Sequence, residues 1–347
     1  MPELTAVDVH AHHFGLDAGE VPARHDADAP RLVIDGDGGG RIMRGDRTFR
    51  AVEPVLWDVN LRLAEMDRAG LSHQVVSPVP VVMEHAAGAD PECARSTNDS
   101  IAEACEQSGG RLLGLGCLPL GDIDAAIAEL RRCREIGLHG VEVGTRIGEL
   151  DLDAPDLERF WDACDATASA VFVHPVQGGR DVVRRAGAPY DLGLGMLTDT
   201  AIAASALVFG GVLAEREQLR VVLAHGCGTF PWAYPRLRLA ANLTGDTADR
   251  DRLARRLFVD TLVFDDEHLG LLVHRFGADR LVLGSDAPFF PDQMAKSMNS
   301  VRAAQQTGVL PEHVDPSFLA RNAAELLGLA TDPLELAAKE HADGVNQ

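Results

Sequence analysis

Short apolar, β-rich segments alternate with amphipathic helical segments along almost the whole chain. The segments 171–174, 221–224 and 281–283 are apolar throughout, as expected for strands that are buried on both faces of a parallel sheet. Eight such strands with intervening helices predict a TIM-type (β/α)8 barrel. The predicted strands span 6–10, 73–78, 112–117, 139–144, 170–174, 220–225, 257–263 and 280–285, and the predicted helices span 91–108, 122–136, 155–168, 199–214, 232–242, 265–276, 293–306 and 316–328.

The length and composition fit one large domain. The chain has 347 residues, of which 46% are hydrophobic, and α/β barrels of this size commonly form a single unit. We therefore expect one distorted barrel domain over 1–330, with an insertion at 13–60 and a C-terminal tail at 331–347. The insertion is long for a first barrel connection, so we expect it to fold over the barrel mouth, with a small hairpin region around 31–52.

The charge balance limits the classes of partner. The 32 Lys and Arg residues against 53 Asp and Glu residues give a formal net charge of −21, which argues against nucleic acid because phosphate binding needs a basic surface. No apolar run approaches the roughly 18 residues of a membrane span, so none is predicted. The N-terminus lacks a signal-peptide pattern and the six cysteines form no CxxC pair, so we expect a cytoplasmic protein with reduced cysteines.

Four histidines and one aspartate follow the ends of predicted strands. His10 and His12 follow the first strand, and His174, His225 and Asp286 follow the fifth, sixth and eighth. The carboxyl ends of barrel strands meet on one face, and imidazole and carboxylate groups are ligands of divalent metals. Taken singly, each residue has a structural alternative, such as a hydrogen-bonded core histidine or a helix-capping aspartate. Taken together, they predict a metal site.

The segments around these residues resemble the amidohydrolase superfamily and, more narrowly, its metal-dependent decarboxylase branch. The similarity extends from about residue 6 to about residue 328. The metal motifs are common to the superfamily, whereas the Phe49-Arg50 pair is more specific to the branch. The matching segments are Asp8-Val-His10-Ala-His12, Phe49-Arg50, Leu56-Trp57-Asp58, Glu65-Met66-Asp67, Val173-His174-Pro175, His225-Gly226 and Gly284-Ser285-Asp286 followed by Pro288-Phe289.

The resemblance implies a divalent metal bound by His10, His12, His174 and Asp286. Many amidohydrolases bind two metals through a carboxylated lysine at the end of strand four, but strand four of this chain carries no lysine. We therefore expect one metal with an open coordination position. Nitrogen and carboxylate ligands favour Zn²⁺, with manganese and iron as alternatives. Glu142, on strand four, is expected to be a strand residue with a local partner rather than a metal bridge.

The resemblance also implies roles for residues around the metal. It makes His225 the group that takes up and returns a proton, and Asp286 both a metal ligand and a catalytic group. It makes Arg50 a ligand of the substrate carboxylate and implies that Arg236 reaches into the neighbouring subunit of a homodimer. The candidate substrate-binding residues are Arg50, Arg236, Arg44 and, as an apolar wall, Phe289.

These observations predict a metal-dependent non-oxidative decarboxylase. Its substrate is expected to be a small unsaturated or aromatic amino- or hydroxy-carboxylate, such as an amino-carboxymuconate semialdehyde. The alternatives are a hydrolase or hydratase on the same scaffold, acting on a lactone or an unsaturated dicarboxylic acid, and a non-catalytic metal-dependent binding protein. After Pro175 the chain lacks an aromatic residue common in the resembling branch, so segment 176–197 is expected to shape a different pocket.

Overall fold

The computed structural model describes residues 3–15, 29–36, 38–88, 91–176 and 183–329. Three sheets lie in this part of the chain. Their strands are β1 (Val7–His13), β2 (Pro30–Ile34), β3 (Gly40–Arg44), β4 (Arg47–Val52), β5 (His73–Pro78), β6 (Leu112–Gly116), β7 (Gly140–Gly144), β8 (Arg146–Ile147), β9 (Leu150–Asp151), β10 (Ala170–His174), β11 (Arg220–Leu223), β12 (Phe258–Asp260) and β13 (Leu281–Val282).

The largest sheet is parallel and has eight strands in the order β1-β5-β6-β7-β10-β11-β12-β13. Its two ends meet, because the backbone N–H of Val9 donates to the Leu283 carbonyl and that of His12 donates to the Ala287 carbonyl, both at 2.8 Å. The sheet is therefore closed into the predicted (β/α)8 barrel. Every residue of β1 is buried, as the position of this strand between two parallel neighbours requires.

Helices connect the barrel strands and cover the outside of the barrel. Aspartates begin several of them by accepting backbone N–H bonds, as Asp58 does from Leu61 at 3.0 Å. The helices are α1 (Val59–Ala69), α2 (Pro80–Gly88), α3 (Pro91–Gln107), α4 (Ile123–Glu135), α5 (Glu158–Ala166), α6 (Ala188–Tyr190), α7 (Met196–Phe209), α8 (Val212–Glu215), α9 (Phe230–Leu243), α10 (Arg250–Ala254), α11 (Asp266–Phe276), α12 (Gln293–Gln306) and α13 (Pro316–Leu327), with a π-helical turn at Asp191–Gly195 and 3₁₀ turns at Pro54–Leu56, Pro155–Leu157, His225–Cys227 and Ala278–Arg280.

Most predicted boundaries agree with the observed ones, and the differences have local causes. The sequence pattern does not predict helix α2, because Val81, Val82 and Met83 are all buried and the helix lacks a one-sided apolar pattern. Helix α1 is also absent from the predicted helices. Strand β13 is shorter than the predicted 280–285, because beyond Val282 the chain pairs with β1 through isolated bridges at Leu283 and Ala287 rather than through a continuous ladder.

The insertion forms a small antiparallel sheet in the order β2-β3-β4, which confirms the expected hairpin region. Its apolar residues, including Ile42 and Val52, share a core cluster with Val79, which follows β5, and with Val81 in the first turn of α2. This packing places the sheet on the barrel face where the strands end. Residues 16–28 of the insertion and the predicted tail 331–347 lie outside the described residues.

In the described part of the chain, one helical stretch, Ala188–Phe209, is long and apolar enough to cross a membrane. It has 22 residues and a mean hydropathy of 1.6 over its most apolar window. Half of that window is buried inside the protein, and α7 packs in the main core through residues such as Leu207 and Val208. A core helix of a globular domain meets the same criteria, so this stretch is weak evidence for a membrane span.

Candidate metal and active site

Four predicted ligands lie together at the carboxyl ends of the barrel strands. His10 and His12 lie on β1, His174 is the last residue of β10, and Asp286 follows β13. One ligand atom from each residue lies within 4.8 Å of the others, and all four residues are buried. The i, i+2 spacing of His10 and His12 directs both imidazoles to the same side of β1.

The donor atoms that converge here are unsatisfied. Nε2 of His10, Nε2 of His12, both ring nitrogens of His174 and Oδ1 of Asp286 are buried without a hydrogen-bond partner in the described structure. Asp286 Oδ1 lies 3.2 Å from His12 Nε2 and 3.5 Å from His10 Nε2. Buried polar atoms without partners are costly, and three nitrogens with one carboxylate oxygen are the donor set of a divalent cation. The residues therefore fit a metal.

Neighbouring groups fix the orientation of two imidazoles. Nδ1 of His10 lies 2.6 Å from Oδ2 of the buried Asp260, and Nδ1 of His12 lies 2.9 Å from the Pro78 carbonyl oxygen. If each Nδ1 carries the donated hydrogen, each Nε2 presents its lone pair to the cluster. Asp260 was not among the predicted site residues. Asp260 lies in the middle of the predicted strand 257–263, so the strand-end pattern does not identify it; it is the last residue of the observed strand β12.

Asp260 also anchors the segment that carries His225. Its carboxylate accepts backbone N–H bonds from His225 at 2.9 Å and from Gly226 at 2.8 Å. Gly226 has a φ of 59°, and a Cβ there would lie 2.5 Å from Val263 Cγ1. A single buried carboxylate thus connects a predicted metal ligand to the backbone of the predicted acid–base residue.

A second buried carboxylate, that of Asp8 on β1, connects this strand to its neighbours. Asp8 accepts hydrogen bonds from Gln74 Nε2 at 2.7 Å and Ser285 Oγ at 2.5 Å. Arg62, also fully buried, donates to Gln74 Oε1 at 2.7 Å and to the His12 carbonyl at 2.5 Å. This network joins β1, β5, α1 and the segment after β13, and so holds the His10 and His12 backbone in position.

The protonation states of the cluster follow from burial and from the carboxylates. Burial lowers the pKa of His12 and lowers that of His174 well below its ordinary value, which keeps both imidazoles neutral. Burial also acts to lower the pKa of His10, but the adjacent carboxylates of Asp260 and Asp286 outweigh it and raise this pKa to about 10. The pKa of Asp286 lies well below its ordinary value, because the nearby imidazoles of His10 and His12 outweigh burial. A divalent cation would replace the proton between His10 and Asp286.

An apolar cavity of about 700 Å³ opens above the cluster. His174, His225 and Asp286 lie at its inner end, and the ring centroid of His225 is 5.2 Å from that of His174. Burial lowers the pKa of His225. The remaining lining residues include Phe49, Arg50, Val176, Leu192, Met196, Leu197, Trp232, Phe264, His268, Phe289 and Phe290. Residues 177–182 of the segment predicted to shape the pocket lie outside the described residues, and residues 183–197 contribute three leucine or methionine side chains to the wall.

The structure brings two of the four predicted substrate-binding residues to the cavity. Arg50, from β4, lies over the Phe289 ring at 4.3 Å and donates to the Phe289 carbonyl at 3.0 Å. Arg44 lies outside the cavity lining, with Nη1 3.6 Å from Glu84 Oε2. Arg236 also lies outside the lining, exposed on α9.

Strand four of the barrel, β7, carries Glu142 at the predicted position. The side chain is fully buried, and Oε1 lies 4.0 Å from Nδ1 of His174. Burial raises the pKa of Glu142 well above its ordinary value, with smaller opposing effects from His10 and the Ser77 hydroxyl. Glu142 is not one of the four convergent donors described above.

A closed parallel barrel whose strand ends bring three histidines and an aspartate together defines a class of barrel proteins suited to a divalent metal. The sequence profile of the family described as amidohydrolase matches residues 7–329. The chain belongs to this amidohydrolase family, which confirms the resemblance.

One relative is similar in sequence over most of the chain, and two solved structures share the fold. The 2-amino-3-carboxymuconate-6-semialdehyde decarboxylase of Dictyostelium discoideum is 32% identical over 305 residues, which cover 83% of this chain and 82% of that protein. The apo structure of the Metarhizium anisopliae IDCase matches with a TM-score of 0.80 and 23% identity, covering 94% of this chain and 97% of the other. A dihydroxybenzoic acid decarboxylase from Polaromonas sp. JS666, with bound manganese and an inhibitor, matches with a TM-score of 0.68 and 20% identity over 93% of this chain and 97% of the other.

Proposed function

We propose that this protein is a metal-dependent non-oxidative decarboxylase of a small unsaturated or aromatic amino- or hydroxy-carboxylate, such as 2-amino-3-carboxymuconate 6-semialdehyde. One observation carries the proposal: four unsatisfied donors converge at the inner end of a cavity that His225 and Arg50 also line. The decarboxylase names of the Dictyostelium and Polaromonas proteins support it. The catalytic domain spans 1–330 in this proposal, and 331–347 is a tail.

The proposed metal ligands are His10, His12, His174 and Asp286, holding one divalent ion. Three imidazole nitrogens and one carboxylate suit Zn²⁺, which is our proposed metal. When bound, the ion supplies positive charge that stabilises negative charge developing on the substrate.

The cavity residues position the substrate and move its proton. In our proposal the Arg50 guanidinium binds the substrate carboxylate, and Phe289 packs against the apolar part of the substrate. His225 gives a proton to the carbon that carries the departing carboxylate. The bond from that carbon to the carboxylate then breaks, its electron pair returns to the conjugated system, and carbon dioxide leaves. One proton is taken up per carbon dioxide released, so no redox cofactor is needed.

A second copy of the chain is the proposed partner. Trp232, Leu239 and Leu243 are 83%, 58% and 80% exposed, and with Arg236 they occupy helix positions i, i+4, i+7 and i+11 of α9. An exposed apolar face of this kind is typical of a protein interface. The Trp232 side chain also lines the cavity, so a partner on this face would lie next to the active site. We propose a homodimer in which Arg236 of each chain enters the partner's site.

The six free cysteines support a cytoplasmic location.

The test is an assay of the purified enzyme, loaded with zinc or manganese, against 2-amino-3-carboxymuconate 6-semialdehyde and a panel of hydroxybenzoates. Carbon dioxide release should appear with at least one substrate, disappear on chelation and return with metal. Products of water addition or hydrolysis without carbon dioxide would contradict the proposal and favour a hydratase or hydrolase. The His225→Ala variant is the control for background metal-catalysed decomposition.

A further inference from the structure

Glu142 occupies an unusual position beneath the metal cluster. It lies at the centre of β7 and pairs in register with Phe172 of β10, two residues before His174. The side chain is 0% exposed. Neither carboxyl oxygen makes a hydrogen bond of ordinary geometry in the described structure, the Ser77 hydroxyl is a neighbouring polar group, and Oε1 faces Nδ1 of His174 across 4.0 Å. A buried carboxyl group without a partner is costly, so its retention needs a reason.

The other two imidazoles show what is missing at His174. Nδ1 of His10 has Asp260 as its partner, and Nδ1 of His12 has the Pro78 carbonyl. Nδ1 of His174 has no partner, although Glu142 is the acceptor beside it. Metal-binding histidines almost always donate their second ring N–H to an acceptor, which fixes the tautomer and the ring orientation.

We propose that Glu142 is the positioning residue of His174: its carboxyl group accepts the Nδ1–H of His174 and so directs the Nε2 lone pair to the point where the other ligands meet. The separation of 4.0 Å exceeds the 2.7–3.2 Å typical of a hydrogen bond. The proposal therefore requires the two side chains to approach each other when the metal binds. The inference rests on the proposed metal site but not on decarboxylation.

The experiment compares Glu142→Met with Glu142→Gln. Methionine fills a similar volume without an acceptor, whereas glutamine keeps an oxygen that can accept the Nδ1–H. Co²⁺ is titrated into each metal-free protein in competition with a chromophoric chelator, and the d–d absorption reports the ligand geometry. We expect Glu142→Met to bind Co²⁺ about 10–100-fold more weakly with an altered spectrum, the scale for losing such a partner. Glu142→Gln should restore the affinity and the spectrum towards wild type.

Two results would overturn the inference. The first is Co²⁺ affinity in a folded Glu142→Met protein equal to that of wild type. The second is binding of two ions per wild-type chain but one per Glu142→Gln chain, which would make Glu142 a bridging ligand instead. If Glu142→Met does not fold, ¹⁵N-histidine spectra of the zinc-loaded wild type decide, since His174 must then show a protonated Nδ1 and an unprotonated Nε2. These readouts require no turnover, so failure to find a decarboxylase substrate would leave them unaffected.

Discussion

Oδ2 of Asp260 lies 2.6 Å from Nδ1 of His10, although 250 positions separate the two residues in the chain. The same oxygen accepts the backbone N–H of His225. Asp260→Asn should therefore disturb both the orientation of the His10 imidazole and the backbone position of His225. An amide nitrogen facing His10 favours the tautomer with a hydrogen on Nε2, which removes the lone pair needed for a metal. We expect metal affinity to fall by about 10–100-fold, measured by chelator competition.

The control for this prediction is Asp265→Ala. Asp265 is also an aspartate near the end of the barrel, but its carboxylate begins α11 by accepting the Glu267 backbone N–H at 3.0 Å. Loss of this cap should cost about 0.5–2 kcal/mol of unfolding free energy. Metal affinity should not change. An Asp260→Asn protein that binds metal as tightly as wild type would show that the Asp260–His10 contact does not control the site.

The second prediction separates proton transfer from metal binding. The proposed acid–base residue His225 lines the cavity but is not one of the four convergent donors. His225→Ala should therefore keep its metal content and lose about 10²–10⁴-fold in kcat, the usual contribution of a positioned acid–base group. Metal analysis and steady-state kinetics on the same preparation provide the check. Turnover near the wild-type rate would exclude His225 from the mechanism.

The third prediction compares two arginines of the insertion sheet. Arg50 lines the cavity, whereas Arg44 lies outside the lining beside Glu84. Arg50→Ala should raise the transition-state free energy, taken from kcat/KM, by about 2–5 kcal/mol. Arg50→Lys should recover only part of this loss, because lysine lacks the planar bidentate fork. Arg44→Ala should have little effect, and an equal loss in both variants would point to damage of the small sheet rather than to substrate binding.

The fourth prediction concerns Arg236 and the proposed homodimer. Arg236→Ala and His225→Ala proteins should each be nearly inactive alone. If Arg236 enters the partner's site, mixing the two proteins should restore part of the activity, because a mixed dimer contains one site with both side chains. Mass spectrometry of differently labelled chains can confirm that subunits exchange. Demonstrated exchange without recovered activity would show that Arg236 does not act across the interface.

The fifth prediction is a pH dependence of stability that originates at His139, which precedes β7 at the end of that strand opposite the metal cluster. Burial and the nearby Arg134 lower the pKa of His139 from 6.5 to about 4. Between these values the unfolded chain binds a proton that the folded protein does not, so stability should fall as the pH decreases from 6.5 towards 4. The size of this loss is about 1–3 kcal/mol. Urea unfolding of zinc-saturated wild type and His139→Gln should show a stability difference that shifts in favour of the variant over this range, and a constant difference would contradict the prediction.

Much of the fold was determined by local sequence patterns. The helix predicted at 293–306 coincides with α12, and the strands predicted at 73–78 and 170–174 coincide with β5 and β10. These patterns are readable because strand burial and helix amphipathicity depend on residues close together in the chain. The position of His10, His12, His174 and Asp286 at the ends of predicted strands also predicts from the sequence that they lie together.

The tertiary structure alone decided which atoms meet. Closure of β1 against the last barrel strand places His10 between Asp260 and Asp286, and the register of β7 and β10 places Glu142 beside His174. It also excluded Arg44 from the cavity while admitting Arg50 from the adjacent strand. A sequence pattern repeats over two to four residues, whereas these contacts depend on how eight strands close into one barrel. The chain therefore specified by itself which residues end the strands, and the barrel geometry specified which of them share a metal, a proton or a hydrogen bond.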